Sequence, residues 1–150
     1  MAFSRSSLAC SSAIALTVAA LVGCGESIRF APVRGQVLVK GVPAKDVRLE
    51  FHPDAAGGTR GPSSSGETDA EGRFELAYAT QSTHGAGAAV GNHKVVLRDM
   101  ALAASETGVG VPVRFGPEYA NLSTTPLSAT ITAGGEDLVI EVPSNSVRNP

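Results

Sequence analysis

After residue 32, apolar side chains recur at every second position, in short runs divided by glycine, proline and serine. Val33, Val37 and Val39 share one parity while Arg34, Gln36 and Lys40 take the other; Val47, Leu49 and Phe51 then alternate with Arg48, Glu50 and His52. Successive side chains of an extended chain point to opposite faces, so each run can bury one face and wet the other. The pattern returns at Phe74, Leu76 and Tyr78, at His93, Val95 and Leu97, at Leu127, Ala129 and Ile131, and at Leu138, Ile140 and Val142. No run repeats with the 3.6-residue period of an amphipathic helix. The pattern predicts an all-β domain over 32–143, an antiparallel Greek-key β-sandwich of about seven strands, within six to eight.

The punctuation between the runs sets the expected connections. Gly41-Val42-Pro43 is read as a turn joining the first two strands into a hairpin, and Gly134-Gly135 as the turn of a second hairpin that closes the domain. Pro53 to Gly66 lacks periodicity and is expected to be a mobile loop, with Ser63-Ser64-Ser65 as flexible filler. Thr68 to Gly72 is a tight turn in which Asp69 bonds its own backbone and Gly72 takes positive φ. Gln81 to Val90 is rich in glycine and alanine and is expected to form a second exposed loop. Met100 to Gly110 is a long crossing, Val111 to Tyr119 an extended edge piece interrupted by Pro112 and Pro117, and 144–150 a flexible tail.

The leading segment has a different character. Met1 to Ser7 is polar and carries Arg5, Leu8 to Val22 is apolar, and Gly23-Cys24 closes the stretch, which is the layout of a secretory signal over 1–23. The apolar run is about 15 residues and is broken by Ser11, Ser12 and Thr17, short of the roughly 20 that a spanning helix needs. Leu21-Val22-Gly23-Cys24 resembles the bacterial lipobox, which implies cleavage between Gly23 and Cys24 and acylation of Cys24 by palmitate-type chains. Several acyl chains on one residue, at about 0.8 kcal/mol per buried methylene, hold a protein on a membrane where one chain would exchange. Cys10 has Ser7 where the lipobox has an aliphatic residue. Gly25 stands where, by resemblance to enterobacterial lipoproteins, an aspartate would favour the inner membrane, so the expected location is the cell envelope, at the outer membrane facing the periplasm or the surface. Residues 24–31 then form a lipidated cysteine and short tether, whose seven residues from Gly25 to Ala31 reach at most about 23 Å.

Composition excludes several classes. The chain has 150 residues, which leaves room for one domain after the leader. Its only cysteines are Cys10 and Cys24, so the domain has neither a disulfide framework nor a thiolate metal site. Removing Arg5 with the leader takes the net charge from −2 to −3, which gives no electrostatic footprint for nucleic acid.

Gly35-x-Val37, Gly41-x-Pro43 with Val47 and Phe51, Thr68-Asp69 with Gly72-x-Phe74, and Gly91-x-His93-x-Val95 follow one another in the order of a known pattern. The chain resembles the carboxypeptidase regulatory-like domain, of transthyretin-like (prealbumin-like) fold, as found in small lipoproteins of planctomycete-type bacteria. The resemblance covers Val33 to Leu97 and, more loosely, the last two strands. It implies a non-catalytic accessory or adhesive module and names no ligand. At His93 the family commonly has an aromatic residue, usually tyrosine, facing inward.

Candidate sites divide by chemistry. His52, His84, His93, Tyr78 and Tyr119 offer the residue types by which intradiol dioxygenases hold iron, but no His-x-His pair occurs, and His52 has outward parity where Tyr78 and His93 face inward. The terminus Ser146-Val147-Arg148-Asn149-Pro150 lacks the Tyr-Arg-Gly-Ser ending of transthyretin-like hydroxyisourate hydrolases. Asp54, Glu67, Asp69 and Glu71 offer oxygens for weak Ca²⁺ binding, yet their spacing is that of turn-forming and solubilising acids. No nucleophile elbow and no phosphate-cradling loop is present. The expected function is a membrane-anchored, non-catalytic structural or binding module without a cofactor. Its contact loops are placed at Pro53 to Gly66 and Gln81 to Val90, with His52, Asp54, Arg60 and His84 as contact residues and an envelope protein or glycan as partner. The alternatives are a metal-dependent or accessory enzyme subunit using His84, His93 and Tyr119, and a weak carbohydrate binder limited by 5 Phe and 2 Tyr, of which Phe3 and Phe30 precede the domain.

Overall fold

The computed structural model describes residues 27–103 and 112–143. The expected leader, the Gly23–Cys24 junction, part of the crossing after Met100 and the tail from Ser144 lie outside the described residues. The chain is all-β, with β1 (Phe30–Ala31), β2 (Val33–Val39), β3 (Val42–Pro43), β4 (Val47–Pro53), β5 (Ser64–Glu67), β6 (Arg73–Glu75), β7 (Ala77–Ala79), β8 (His84–Ala86), β9 (Ala88–Ala89), β10 (Gly91–Asp99), β11 (Ser128–Ile131) and β12 (Glu136–Val142). A one-turn helix, α1 (Met100–Ala103), follows β10, and a 3₁₀ turn occupies Pro117–Ala120. Among the described residues no helix is long and apolar enough to cross a membrane.

One sheet has six strands in the order β11-β10-β4-β5-β7-β8; the other is built on β2, with β12 on one side and β3 and β6 on the other. A third, minimal pairing joins β1 to β9. The two larger sheets form a β-sandwich around one core that includes Val37, Val47, Leu49, Phe51, Phe74, Leu76, Val95, Leu97, Ile131 and Val142, each at most 3% exposed. All the inward positions expected on the second and fourth alternating runs are therefore buried, while Arg48, Glu50, His52, Lys94 and Arg98 face out.

Three expectations about pairing are corrected. β2 and β4 do not form a hairpin. Lys40 and Gly41, both at positive φ (55° and 74°), return the chain into the two-residue β3, which pairs with β2 at Val39↔Val42. Ala44 then donates its N–H to the Val37 carbonyl (3.0 Å), and Asp46, at φ 57°, carries the chain across to the other sheet. The last two strands are likewise in different sheets: β11 pairs antiparallel with β10, whereas β12 pairs parallel with β2 from Glu136↔Val33 to Val142↔Val39. The architecture is thus mixed rather than wholly antiparallel.

The expected mobile loop is the third correction. Asp54 N–H donates to the Asn92 carbonyl (2.8 Å), Thr59 N–H to the Asp54 carbonyl (3.0 Å), and Asn92 N–H to the hydroxyl of Thr59 (2.8 Å), a buried side chain. From Ser64 the chain is a strand, paired with β4 at Phe51↔Ser64 and with β7 at Ser64↔Tyr78. Small residues are needed there because a Cβ on Gly66 would stand 2.4 Å from the Glu75 carbonyl oxygen, at the place where β6 and β7 pass from one sheet to the other. The expected Thr68–Gly72 turn is present: Asp69 Oδ1 accepts from Glu71 N–H (3.0 Å) and Arg73 N–H (2.8 Å), with Gly72 at φ 72°.

Thr68 fixes the crossing into β4. Its buried hydroxyl donates to the Ala44 carbonyl (2.7 Å) and accepts from Val47 N–H (2.9 Å), while its own N–H and carbonyl engage the Val47 carbonyl and Asp46 N–H. Thr68→Val keeps the shape but leaves a buried N–H and a buried C=O unpaired. It is expected to lower unfolding stability by about 2–3 kcal/mol, measured as a fall in the urea midpoint at unchanged slope.

Candidate interaction surfaces

The outer face of the six-stranded sheet carries an ion-pair network centred on Glu50. Its carboxylate receives Arg98 Nε at 3.1 Å, lies 3.7 Å from Arg48 Nε and 3.4 Å from His52 Nε2, and Arg48 reaches on to Glu67 at 3.4 Å. His52 is thus a strand residue, with Nδ1 2.9 Å from the Ser63 hydroxyl, rather than part of a contact loop. The arginines are about half exposed and Glu50 is 23% exposed, so solvent still screens each pair and the network chiefly fixes a pattern of charge.

Beside this network lies an open groove of about 670 Å³, with Arg48, Arg98, Met100, Val113, Phe115 and Pro117 in its lining. Val113 is 70% exposed there. One wall is held by Arg114, whose guanidinium makes a bidentate pair with Asp99 (Nε to Oδ2 2.7 Å, Nη2 to Oδ1 2.5 Å) and donates to the Lys45 (2.6 Å) and Asp46 (3.1 Å) carbonyls. The hydrogen bonds to Asp99 raise the Arg114 pKa above its ordinary value, so it is charged at any working pH. Arg114 is therefore a clamp that returns the chain after α1 to the start of β4. The segment that follows was expected to be an extended edge; instead Phe115 and Tyr119 enter the core in an edge-to-face pair 6.2 Å apart, and the 3₁₀ turn packs against β10.

A second open groove, about 620 Å³, lies on the outer face of the smaller sheet, with Arg34, Gln36, Glu67, Asp69, Arg73 and Asp137 in its lining. Several of its polar groups are committed to one another or to backbone: Arg34 pairs with Asp137 (3.4 Å), Gln36 donates to the Glu71 carbonyl (2.8 Å), and Asp69 caps its own turn.

The remaining candidate residues are dispersed. Asp54 accepts from Ala56 N–H (3.1 Å) as a turn former, Arg60 is exposed, and His84 is exposed on the edge strand β8. The loop expected at Gln81 to Val90 holds β8 and β9, and Ala88 and Ala89 are fully buried. β4, β5 and β7 lie between the strands of His84 and His93, and Tyr119 is in the core, so the three residues of the metal-site alternative are not gathered into one site. Among the described residues no three His, Cys, Asp or Glu side chains approach closely enough to hold a metal ion. Sequence reasoning missed Arg114 as a site residue; its signal was an isolated arginine within a proline-broken apolar stretch.

His93 is 1% exposed, 6.2 Å from the Phe51 ring centroid, with Nδ1 3.1 Å from the Gly91 carbonyl. Its Nε2 and the Ser64 hydroxyl are buried without a hydrogen-bond partner among the described residues. Burial depresses the His93 pKa, the bond to Gly91 opposes this, and His52 adds a smaller lowering. No known protein family, no curated protein and no solved structure matches the chain.

Two predictions follow from these environments. Arg114→Met removes the bidentate partner of the largely buried Asp99 carboxylate, which keeps the Ala101 N–H (3.1 Å), and is expected to cost about 2–3 kcal/mol, read from the denaturant midpoint. For His93 the unfolded chain binds the proton more tightly than the folded one, so stability is full above the unfolded pKa near 6.5 and falls as pH drops below it. Urea midpoints taken between pH 5 and pH 7.5 should decline toward acid in the parent, and His93→Phe should flatten that slope.

Proposed function

We propose that the chain is a lipid-anchored lipoprotein of the bacterial envelope, at the outer membrane facing the periplasm or the surface, whose sandwich is a non-catalytic structural or binding module of the carboxypeptidase regulatory-like, transthyretin-like kind. The observation that carries the reading is the position of Cys24, at the end of an apolar run and only five residues before Arg29, whose carbonyl accepts from Val90 N–H at 2.9 Å. A lipid on Cys24 thus joins the folded domain with almost no slack.

The side-chain chemistry supports a scaffold. The positions that carry the family resemblance serve turns, packing and strand register: Asp69 and Gly72 make a turn, Phe51, Phe74 and Val95 fill the core, and His93 is sealed inside it. Arg48, His52, Glu67 and Arg98 of the large sheet are tied into the Glu50 network, and the adjoining groove at Val113 offers apolar surface flanked by Arg48 and Arg98. Such a surface suits an envelope protein, or a glycan bearing acidic groups, held by contact rather than converted.

Intact mass of the protein from the membrane fraction of its host tests the anchor. The expected species is residues 24–150 plus acyl chains, absent from a Cys24→Ala variant. An unmodified, soluble chain from the same cells would overturn the reading.

A further inference from the structure

The sandwich has two unlike ends, and the strand directions fix which is which. At one end lie the 54–63 connection, the 80–83 turn, the 132–135 turn and the entry of the chain into β1. At the other lie the Lys40–Gly41 turn, the Asp69–Gly72 turn, α1 and the Arg114 clamp.

The entering chain is held firmly. Phe30 pairs with Ala89 and Ala31 with Ala88; the Phe30 ring stacks on Tyr78 at 3.8 Å and 10°; and the Pro32 carbonyl accepts from Glu136 N–H at 3.0 Å. A Cβ on Gly87 would stand 2.0 Å from the Ala31 carbonyl oxygen, so β1 lies directly on that turn. β1 takes the last two residues of the expected tether, and the five steps from Cys24 to Arg29 reach no more than about 18 Å. The nine residues of β10 alone extend about 30 Å toward the far end.

The near end also has a fitting chemistry. Ile28 is 46% exposed and lies beside Gly61, and Arg29 and Arg60 are both exposed with no ion pair among the described residues. Asp54 and Glu136 at that end accept turn N–H groups from Ala56 and Thr132, and Asp137 pairs with Arg34, so none of these three acids engages Arg29 or Arg60. At the far end exposed Lys40 and Arg73 stand with Asp69 and Glu71, and Lys45 pairs with Asp46. Basic side chains close to a bilayer are attracted to its anionic headgroups, and an apolar residue between them can enter the interface.

We infer that the end bearing Ile28, Arg29 and Arg60 rests on the phospholipid headgroups of the membrane that holds Cys24, with the two guanidinium groups against lipid phosphates. This rests on the lipoprotein reading. It reverses the assignment of the contact loops: the 54–63 connection and the 80–83 turn face lipid, while the 40–46 and 69–72 turns, with the Arg114 clamp, face outward toward a partner.

Because Cys24 is the sole cysteine after the leader and lipidation occupies it, an introduced cysteine is the one free thiol. Ser82→Cys and Ala70→Cys place a fluorophore on exposed turns at the near and far ends. The lipidated proteins are reconstituted into vesicles of phosphatidylethanolamine and phosphatidylglycerol carrying a headgroup-attached short-range quencher. The expected result is loss of fluorescence at Ser82 and none at Ala70. Combining Ser82→Cys with Arg29→Gln and Arg60→Gln should restore part of the lost signal. Protein that does not float with the vesicles overturns the anchor and the orientation with it. Protein that floats with equal or reversed quenching overturns the orientation alone, and quenching unchanged by the arginine substitutions overturns the guanidinium–phosphate contact.

Discussion

The chain changes sheets repeatedly, and at each crossing it leaves main-chain donors and acceptors that a buried position cannot leave unpaired. The Thr68 hydroxyl meets this need at the passage from β3 to β4, where it bridges the Ala44 carbonyl and Val47 N–H. At the β6–β7 passage the backbone does so itself: Leu76 N–H donates to Val33 and the Leu76 carbonyl accepts from Gly87. At the last crossing the Pro32 carbonyl receives Glu136 N–H. A wholly apolar side chain in place of Thr68 would supply no such bridge, and the sandwich closes around a few residues whose value lies in where they bond rather than in the area they bury.

The fold class was legible because alternation is a local property. Val47, Leu49 and Phe51, or His93, Val95 and Leu97, sort themselves by parity whatever they pair with. Pairing is not local. The glycine turn at Gly41 looked like a complete hairpin, and nothing in the sequence marked Asp46 as a non-glycine residue at positive φ that sends the chain across the core. β5 escaped notice since its inward residues, Ser64 and Gly66, are small or polar; they alternate all the same, continuing to Thr68, and the size of Gly66 answers to the close approach of the Glu75 carbonyl. Phe115 and Tyr119 were hidden by the prolines around them, which break regular strand but permit the 3₁₀ turn that carries Tyr119 into the core.

The candidate site was less legible than the fold. The residues that attract attention in the sequence, histidines and clustered acids, are mostly absorbed by turns, ion pairs and the core: Asp54 and Asp69 cap turns, His52 joins Glu50, and His93 is buried. What shapes the outer surface is Arg114, four of whose hydrogen bonds run to elements far apart in sequence. An arginine of that kind is recognisable only once its partners are in place, since the pairing with Asp99 depends on where the intervening residues begin and end.

The parallel partnership of β2 with β12 ties together residues about a hundred positions apart, such as Arg34 and Asp137. Until the final strand is available, the smaller sheet lacks an entire flank, and Val37 has no neighbour along that side. Contacts of such long sequence separation make folding slow and late, because the entropy of loop closure must be met before the pairing rewards it. A chain emerging from synthesis thus remains open until β12 has been made. On the proposed lipoprotein reading, an export channel that threads polypeptides would meet it still unfolded, and closure of the domain would follow on the far side.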